Sequence, residues 1–287
     1  RMRKEKNPEI KIGILGCAAE SLKEKLEKEK WIDIVQDGKD LEKMKKAVIE
    51  ILPNEFEVTQ DSFEIHRGGS NSGMIPVIRG CSYMCSYCIV PRTRGLQRSI
   101  SIEKILKDVE ASLEAGSKEI YLLGQNFLSY GRDLSKKVSP EEMITTVHDS
   151  FPELKRIRFL TSHPHDLTKN FLQTMKSLPR VAKYLHLPFQ SGSDAVLKAM
   201  RRITTRETVI EKSEWVRSLW PEATLSTDII VGFPTETKKD HDETITLLKE
   251  VEYDFAYSFL YSPRPETKPT LLEIQYLIKK KLKGFQK

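Results

Sequence analysis

The order of apolar and polar positions divides the chain into two parts of unequal length. In the first part, apolar runs at Lys11–Leu15 and Trp31–Val35 alternate with helical periodicity at Glu20–Glu29 and Leu41–Ile51. Alternation of strands with helices is typical of parallel strand pairing. The sequence therefore predicts a small α/β domain over residues 1–70.

The second part follows a stretch, Pro53–Gly73, that lacks helical periodicity and is rich in Gly, Ser and Asn near its end. From Met74 onward, strand and helix patterns alternate. The predicted strands are Ile75–Ile78, Glu119–Leu123, Arg156–Leu160, Tyr184–Leu187, Leu225–Val231 and Tyr257–Leu260. The predicted helices lie near Ile102–Ala115, Pro140–Asp149, Leu167–Lys176, Asp194–Ala199, Thr205–Ser218 and Lys238–Val251.

These strand and helix units amount to about two thirds of a TIM barrel. The fold class predicted for the chain is thus α/β: a small N-terminal α/β domain followed by a partial (β/α)6 TIM-like barrel over residues 71–269. A helical, lysine-rich tail is expected over residues 270–287. An incomplete barrel leaves an open side, which suits a large substrate, and its chemistry is expected at the carboxyl ends of the strands.

Composition and charge narrow the class of protein. The chain has 287 residues with 47 Lys or Arg and 41 Asp or Glu, a net charge of +6, and 39% hydrophobic residues, which argues against disorder throughout. No apolar stretch approaches the roughly 18 residues of a membrane-spanning helix. The basic start Arg1–Lys6 leads into Pro8 and not into an apolar signal core. We therefore expect a protein of the cytoplasm, or of an organelle matrix, without a membrane partner.

Three of the four cysteines are clustered: Cys81, Cys85 and Cys88 form C-x₃-C-x₂-C directly after the first barrel strand. A disulfide framework would need an even local count and an oxidising compartment. A structural zinc site would need a fourth ligand, usually from a second cysteine pair. Three thiolates in one loop can instead hold three irons of a [4Fe–4S] cube and leave the fourth iron open to a ligand.

The segment Cys81-Ser-Tyr-Met-Cys-Ser-Tyr-Cys88 resembles the signature of radical S-adenosylmethionine (SAM) enzymes. Its continuation, Ile89–Gly95, resembles the methylthiotransferases of that group, and the likeness to this family covers nearly the whole chain. The resemblance implies that the open iron chelates the amino and carboxylate groups of SAM. It also implies that an electron from the cluster cleaves SAM to a 5′-deoxyadenosyl radical. A structural zinc or Fe–S loop without a reaction is the alternative.

The second barrel strand ends in a polar turn that contains Gly124, Gln125 and Asn126. A glycine lets a ligand approach the backbone, and two amides offer donors and acceptors without charge. The turn resembles the family's loop that meets the methionine part of SAM, so these three residues are candidate cofactor contacts. An ordinary strand-to-helix turn is the alternative.

The ends of the fourth and fifth barrel strands also resemble family segments. Gln190 and Ser191 can hydrogen-bond a ribose, and Thr227–Glu236, which contains Asp228 and Gly232, resembles the segment that lies against the adenine of SAM. Arg202 follows the fourth-strand helix, where a guanidinium can pair with the SAM carboxylate. A solvated arginine and a buried apolar strand without a ligand are the alternatives for these two features.

Taken alone, Cys17 in Leu15-Gly-Cys-Ala-Ala19 is typical of a small buried apolar side chain. The resemblance instead makes it the third of three dispersed cysteines that bind a second, auxiliary [4Fe–4S] cluster in an N-terminal methylthiotransferase (UPF0004-like) domain. Residues 1–70 lack counterparts of the first two, so this domain is expected to be incomplete here. The family's C-terminal RNA-binding β domain has no counterpart in this sequence either.

The resemblance is closest to the tRNA-modifying, MiaB-like branch, and it implies addition of a methylthio group to C2 of N6-isopentenyladenosine at position 37 of tRNA. Its partners would be a tRNA anticodon stem-loop and an electron donor such as flavodoxin or ferredoxin; the sulfur source stays open. Alternatives are a threonylcarbamoyl-adenosine tRNA substrate, a ribosomal-protein aspartate, or a non-catalytic Fe–S binding protein. Cations that could meet RNA phosphates are Arg92, Arg94, Arg98, Lys155, Arg156 and Arg158.

Overall fold

The computed structural model describes residues 2–38, 41–51, 71–264 and 267. The chain divides into two compact units, Arg1–His66 with Ile89–Leu96 and Arg67–Cys88 with Gln97–Lys287. The sequence placed Ile89–Leu96 in the barrel, whereas this segment belongs to the first unit. The predicted tail over residues 270–287 lies outside the described residues, and the predicted domain bounds stay a prediction.

The first unit contains a two-stranded parallel sheet. Its elements are α1 (Met2–Lys6), β1 (Gly13–Leu15), α2 (Cys17–Ser21), α3 (Lys23–Leu26), β2 (Ile34–Gln36), α4 (Leu41–Ile51) and, from the later segment, α5 (Val90–Thr93). Ile14 lies opposite Val35 in the parallel register. The prediction of one helix over Glu20–Glu29 is wrong, because the helix begins at Cys17 and is interrupted at Leu22, whose φ of −124° is not helical.

In the described part of the second unit, six strands pair in parallel in two groups of three, and two shorter strands form a separate pair. Its strands are β3 (Ser72–Pro76), β4 (Ile78–Arg79), β5 (Arg98–Ser99), β6 (Glu119–Leu123), β7 (Arg156–Phe159), β8 (Tyr184–His186), β9 (Thr224–Val231) and β10 (Phe255–Leu260). The sheet orders are β3-β6-β7 and β10-β9-β8, and a parallel bridge between Ile157 and Val181 lies at the junction of the two groups. The short antiparallel pair of β4 with β5 was not predicted. The predicted partial barrel is thereby confirmed.

Helices follow the barrel strands as the periodicity predicts. They are α6 (Ile102–Glu114), α7 (Pro140–Ser150), α8 (Lys169–Ser177), α9 (Asp194–Ala199), α10 (Arg206–Leu219) and α11 (Lys238–Val251), with 3₁₀ turns at Phe127–Ser129 and Pro164–Asp166. Five of the helices begin at a side-chain cap that accepts from the backbone, supplied by Ser101, Ser139, Thr168, Thr205 and Thr237. The described residues include no helix that is both long and apolar enough to cross a membrane.

Alternating strand residues give the barrel a buried face and a polar face. Ile120, Leu185 and Leu225 are buried in the main hydrophobic core, while the neighbouring positions on the other face are more polar. On that polar face, Glu119 pairs with Arg156 at 3.1 Å and with Arg158 at 2.9 Å. Both arginines, expected among the RNA-binding cations, are therefore engaged by the carboxylate of Glu119, the first residue of β6. Parallel pairing places the loops after these strands at one end of the unit.

Candidate metal centre

The three clustered cysteines lie in the loop that follows β4. Cys81, Cys85 and Cys88 are not joined in disulfides and have intermediate exposure. The loop begins at Gly80, whose φ of 73° lies in the left-handed region that favours glycine. The Cys88 N–H donates to the Cys85 carbonyl at 3.1 Å and closes the last turn. All three sulfur atoms therefore belong to one short loop after the first barrel strand, which we call the cysteine loop.

One side of the cysteine loop is held by the end of α9. The Ser86 N–H donates to the Met200 carbonyl and the Ser86 hydroxyl donates to the Ala199 carbonyl, both at 2.9 Å. Carbonyls at a helix C-terminus lack intrahelical partners, so the loop satisfies them. The next residue, Tyr87, packs against a buried apolar cluster formed by Val196, Met200, Phe233 and Tyr261. We call these contacts of Ser86 and Tyr87 the apolar anchor.

The other side of the loop is held by a buried carboxylate. The Tyr83 hydroxyl lies 2.7 and 2.8 Å from the two oxygens of Asp166. Asn126 Nδ2 and Arg132 Nη2 donate to the same carboxylate at 2.5 and 2.8 Å. Burial opposes ionisation of Asp166, but these hydrogen bonds outweigh it and lower its pKa. This polar anchor ties the loop to the ends of the second and third barrel strands.

The end of the third barrel strand carries a polar run, Thr161-Ser-His-Pro-His-Asp166, none of whose residues was predicted to belong to the site. Thr161 has a φ of 58°, a left-handed conformation unusual for a β-branched residue. The His163 N–H donates to Asn126 Oδ1 at 2.9 Å, and the His163 ring stacks on Tyr83 with centroids 4.3 Å apart. Two histidines and an acid directly after a parallel strand are the signal that could have identified this segment.

The second-strand residues have different surroundings. Both polar atoms of the Asn126 amide are used, one by Asp166 and one by the His163 N–H. Gln125 Oε1 is buried and has no hydrogen-bond partner among the described residues. A Cβ on Gly124 would lie 3.1 Å from the Ile78 Cβ, so the glycine allows close approach of β4. As cofactor contacts all three stay predictions, and Gln125 is the one whose side chain has a free acceptor.

Arg202 brings a positive charge to the cysteine loop. Its Nη1 lies 3.9 Å from Cys85 Sγ and its Nη2 donates to the Pro188 carbonyl at 2.5 Å, while Nε is buried without a partner in the described part of the chain. Burial raises the pKa of Cys81, and the Tyr83 N–H and the Arg202 charge only partly oppose it. Because metal ligation requires thiolates, loading of this loop is expected to release protons.

The fourth-strand candidates are fixed mainly by their backbone. Gln190, with a φ of 75°, donates its N–H to the Asp228 carbonyl and accepts from the Ile230 N–H, both at 2.9 Å. The Ser191 hydroxyl is buried, accepts from the Ser193 N–H at 3.3 Å and lies 3.4 Å from Thr244 Oγ1. The structure thus brings Gln190 beside β9, and ribose binding by the two residues stays a prediction.

On the fifth strand, Asp228 lies beside His186. The Asp228 carboxylate is 3.3 Å from His186 Nε2, and His186 Nδ1 is 2.8 Å from the Ser226 hydroxyl. Gly232, with a φ of 80°, donates its N–H to the Glu236 carboxylate. That contact shapes the turn after β9, and adenine binding by Asp228 and Gly232 stays a prediction.

The family is decided by the extent of a sequence match. A model of the radical SAM superfamily matches residues 75–248, which is more than half of the chain and includes the cysteine loop. The chain belongs to the radical SAM superfamily. Membership implies a [4Fe–4S] cluster and SAM as cofactors, so the prediction of the barrel cluster is confirmed at the level of the family.

Among relatives, this radical SAM protein is 42% identical over 276 residues to the tRNA-2-methylthio-N(6)-dimethylallyladenosine synthase of a Sulfurihydrogenibium species, covering 92% of the chain and 63% of the relative. The synthase of the same name from Aquifex aeolicus is 36% identical over 285 residues, covering 95% of the chain and 64% of the relative. The chain therefore spans just under two thirds of the length of the curated relatives it matches.

Solved structures agree on the fold. The cobalamin-dependent S-adenosylmethionine radical enzyme OxsB, with aqua-cobalamin and S-adenosylmethionine bound, has a TM-score of 0.59 at 17% identity and covers 95% of the chain and 42% of OxsB. The radical S-adenosylmethionine methyltransferase TsrM from Kitasatospora setae has a TM-score of 0.55 at 14% identity, covering 73% and 37%. At these identities the likeness shows the radical SAM fold alone.

The cysteine loop fits the cluster that the superfamily implies. Among the described residues, no group of three or more His, Cys, Asp or Glu side chains is already close enough to hold one metal ion. The fit rests instead on the donor set and its surroundings: three thiols in one loop, the Arg202 cation beside Cys85, and two anchors that hold the loop. Cys81, Cys85 and Cys88 would hold three irons, which leaves the fourth for SAM.

Within the first unit, Cys17 is the first residue of α2 and contacts the segment that contains α5. Arg94 Nε donates to Cys17 Sγ at 3.3 Å. Burial opposes ionisation of the thiol, but hydrogen bonds from Thr93 and Arg94 outweigh it and lower the Cys17 pKa. Arg94, expected among the RNA-binding cations, is thus a partner of this cysteine, and binding of an auxiliary cluster by Cys17 stays a prediction.

Proposed function

We propose that this chain is the catalytic part of a methylthiotransferase that adds a methylthio group to C2 of N6-isopentenyladenosine at position 37 of tRNA. The observation that carries the proposal is the extent of its likeness to relatives named tRNA-2-methylthio-N(6)-dimethylallyladenosine synthase. The likeness covers 92% of the chain, so it extends beyond the radical SAM segment into the unit that contains Cys17.

Radical chemistry suits this substrate because an aromatic C–H at C2 of adenine has no acidity that a general base can exploit. When bound, the cluster and SAM supply a 5′-deoxyadenosyl radical that removes a hydrogen atom from such a bond. The role of the chain's own residues is to bind and orient the cofactors and the substrate. Arg202 is the proposed partner of the SAM carboxylate, and the free Gln125 oxygen is a suitable acceptor for the SAM amino group.

The sulfur chemistry is assigned to the first unit. Cys17 would be one ligand of an auxiliary [4Fe–4S] cluster, and a sulfur atom on that cluster would receive a methyl group from one SAM, while a second SAM supplies the radical. Hydrogen bonds from Arg94 and Thr93 to Cys17 support a role for this side chain beyond filling space. A flavodoxin or ferredoxin is the proposed electron donor.

The RNA partner proposed is the anticodon stem-loop, whose unstacked bases are accessible to an enzyme. Arg98 and Lys155 are exposed cations of the barrel unit that could meet phosphates. Arg156 and Arg158 are less suitable because Glu119 already neutralises part of their charge.

The test compares Cys85→Ala with Cys17→Ala in anaerobically reconstituted protein. Cys85→Ala is expected to abolish formation of 5′-deoxyadenosine, because the barrel cluster loses a ligand. Cys17→Ala is expected to keep 5′-deoxyadenosine formation measurable and to abolish the methylthio-nucleoside, which mass spectrometry of digested tRNA detects. Equal loss of both products in the two variants would contradict this division of labour.

The substrate is tested in a strain that lacks the gene for this protein. Loss of the 2-methylthio group from isopentenylated adenosine, restored by the gene, is the expected result. Loss of methylthio-aspartate from a ribosomal protein, with tRNA unchanged, would overturn the proposed substrate. Absence of 5′-deoxyadenosine from protein with a fully loaded barrel cluster would favour a non-catalytic Fe–S binding protein.

A further inference from the structure

His163, after the third barrel strand, is a buried histidine with an unused hydrogen-bonding atom. The residue is only 5% exposed. Nε2 of the ring is buried and has no hydrogen-bond partner among the described residues. Buried polar atoms in folded proteins are nearly always paired, so an unpaired one beside a functional loop points to a ligand.

The hydrogen bonds of the ring decide which nitrogen carries the proton. The His165 N–H donates to His163 Nδ1 at 3.3 Å, so Nδ1 is an acceptor and the proton of the neutral ring is on Nε2. Burial, together with the nearby Arg202 charge, lowers the pKa of His163 to about 3, which keeps the ring neutral. Nε2 is therefore a fixed N–H donor and has no lone pair to offer to a metal.

The surroundings of His163 indicate where its acceptor is. The ring stacks on Tyr83, which lies in the loop between Cys81 and Cys85. The charges of Arg202 and Asp166 act on both His163 and Cys81, which places the imidazole in the electrostatic environment of the cysteine loop. Asp166 already accepts from Tyr83, Asn126 and Arg132, so its oxygens are occupied.

We propose that His163 donates its Nε2–H to an anionic acceptor of the loaded cysteine loop, either a sulfur atom of the cluster or the carboxylate of SAM. His163 is then a positioning residue for the cofactors. A hydrogen bond to a cluster sulfur stabilises the reduced cluster and raises its reduction potential. A hydrogen bond to the carboxylate strengthens SAM binding. The proposal rests on membership of the radical SAM superfamily and not on the tRNA substrate.

Two variants distinguish the effect of the Nε2–H donor from the effect of the aromatic ring. His163→Phe keeps a flat ring against Tyr83 and removes the donor, whereas His163→Gln places an amide N–H near the position of Nε2. His165→Phe is the matched control, because it changes an exposed histidine two residues away whose ring has no buried donor. Each variant is reconstituted anaerobically, and iron content and thermal unfolding establish that cluster and fold are present.

The first measurement is the reduction potential of the barrel cluster without SAM, in protein that also carries Cys17→Ala so that one cluster is titrated. If the acceptor is a cluster sulfur, His163→Phe is expected to lower the reduced-to-oxidised ratio about tenfold at a fixed solution potential, which is about 59 mV for one electron. If the acceptor is the SAM carboxylate, that ratio stays unchanged and SAM binds the oxidised protein about tenfold more weakly by equilibrium dialysis.

His163→Gln is expected to retain most of whichever property His163→Phe loses, and His165→Phe to match the unsubstituted protein. Unchanged potential and unchanged SAM affinity in fully loaded His163→Phe would overturn the proposal. So would an equal loss in His163→Gln, since the N–H would then not be the cause. Should His163→Phe not take up iron, the comparison is made between His163→Gln and the similarly shaped His163→Glu, in which an acceptor replaces the donor.

Discussion

The two anchors of the cysteine loop hold neighbouring residues by different interactions. Tyr83 is held by the buried, ionised Asp166, which also binds Asn126 and Arg132. Ser86 and Tyr87 are held by the end of α9 and by the apolar cluster around Met200. The polar anchor depends on a buried charge, whereas the apolar anchor combines two hydrogen bonds between uncharged groups with apolar packing.

We infer from this difference that the apolar anchor mainly stabilises the cysteine loop and that the polar anchor mainly adjusts the properties of the bound cofactors. Apolar burial is non-directional and insensitive to pH, so it suits a contact that only has to hold. A buried carboxylate and a neutral histidine change with pH and act on groups within a few ångströms. The polar anchor is also the side on which His163 offers its free donor, so the tuning of the cofactors is expected from that side.

The largest effect is expected at the apolar anchor. Met200 is fully buried, and Met200→Ala should lower the free energy of unfolding by about 3 kcal/mol through lost burial and a cavity. Met143→Ala, at an equally buried methionine of α7, is the matched control. Chemical denaturation is expected to show similar losses in both, while iron uptake falls only in Met200→Ala. Equal iron uptake in the two variants would show that the apolar side chains around Met200 do not hold the cysteine loop.

The next largest effect is a pH dependence of the free energy of unfolding, caused by His163 next to the polar anchor. The folded-state pKa of His163 is about 3, below the ordinary value of 6.5, so the unfolded chain binds this proton first as the pH falls. The stability due to the neutral ring is therefore complete above pH 6.5 and decreases between pH 6.5 and 3, by about 2 kcal/mol at pH 5.

Denaturation at pH 7.5 and pH 5 measures this dependence. His163→Phe should lose about 2 kcal/mol less than the unsubstituted protein between these two values, while Met200→Ala should keep the full dependence. If the free energy of unfolding of His163→Phe still falls as steeply between pH 7.5 and pH 5, the pH dependence belongs to other groups.

The smallest effects compare one hydrogen bond from each anchor. Tyr83→Phe removes a donor to a carboxylate and keeps the ring against His163, so a loss of about 1.5 kcal/mol in unfolding free energy is expected. Ser86→Ala removes a donor to the neutral Ala199 carbonyl and should cost about 1 kcal/mol. A larger loss in Ser86→Ala than in Tyr83→Phe would contradict the ranking of the two contacts.

Strong periodicity made much of the barrel predictable. The bounds of Glu119–Leu123, Asp194–Ala199 and Lys238–Val251 agree with the prediction. The last of these begins at a capping box between Thr237 and Asp240, which the sequence itself shows. The first unit was harder. Its strands have three residues each, and the break at Leu22 interrupts a sequence whose charges favour a continuous helix. Propensity alone carries no information on where tertiary contacts start or stop such short elements.

The candidate site, too, has features that the sequence predicts and features that it does not. The spacing of Cys81, Cys85 and Cys88 was sufficient to identify the family, which the match over residues 75–248 confirms. The sequence could not show that Asn126 uses its whole amide for Asp166 and His163. It also could not show that Arg94 is a partner of Cys17, since these residues are far apart along the chain.

The sequence by itself determined the α/β order, the spacing of the three clustered cysteines and the class of cofactor, because these depend on local spacing and residue type. Only the tertiary structure decided which polar groups are already paired and which remain free. Asp166 is saturated, whereas Gln125 Oε1 and His163 Nε2 are buried without a partner among the described residues. Pairing of this kind depends on groups that the fold brings together from different strand ends, and no local pattern records it.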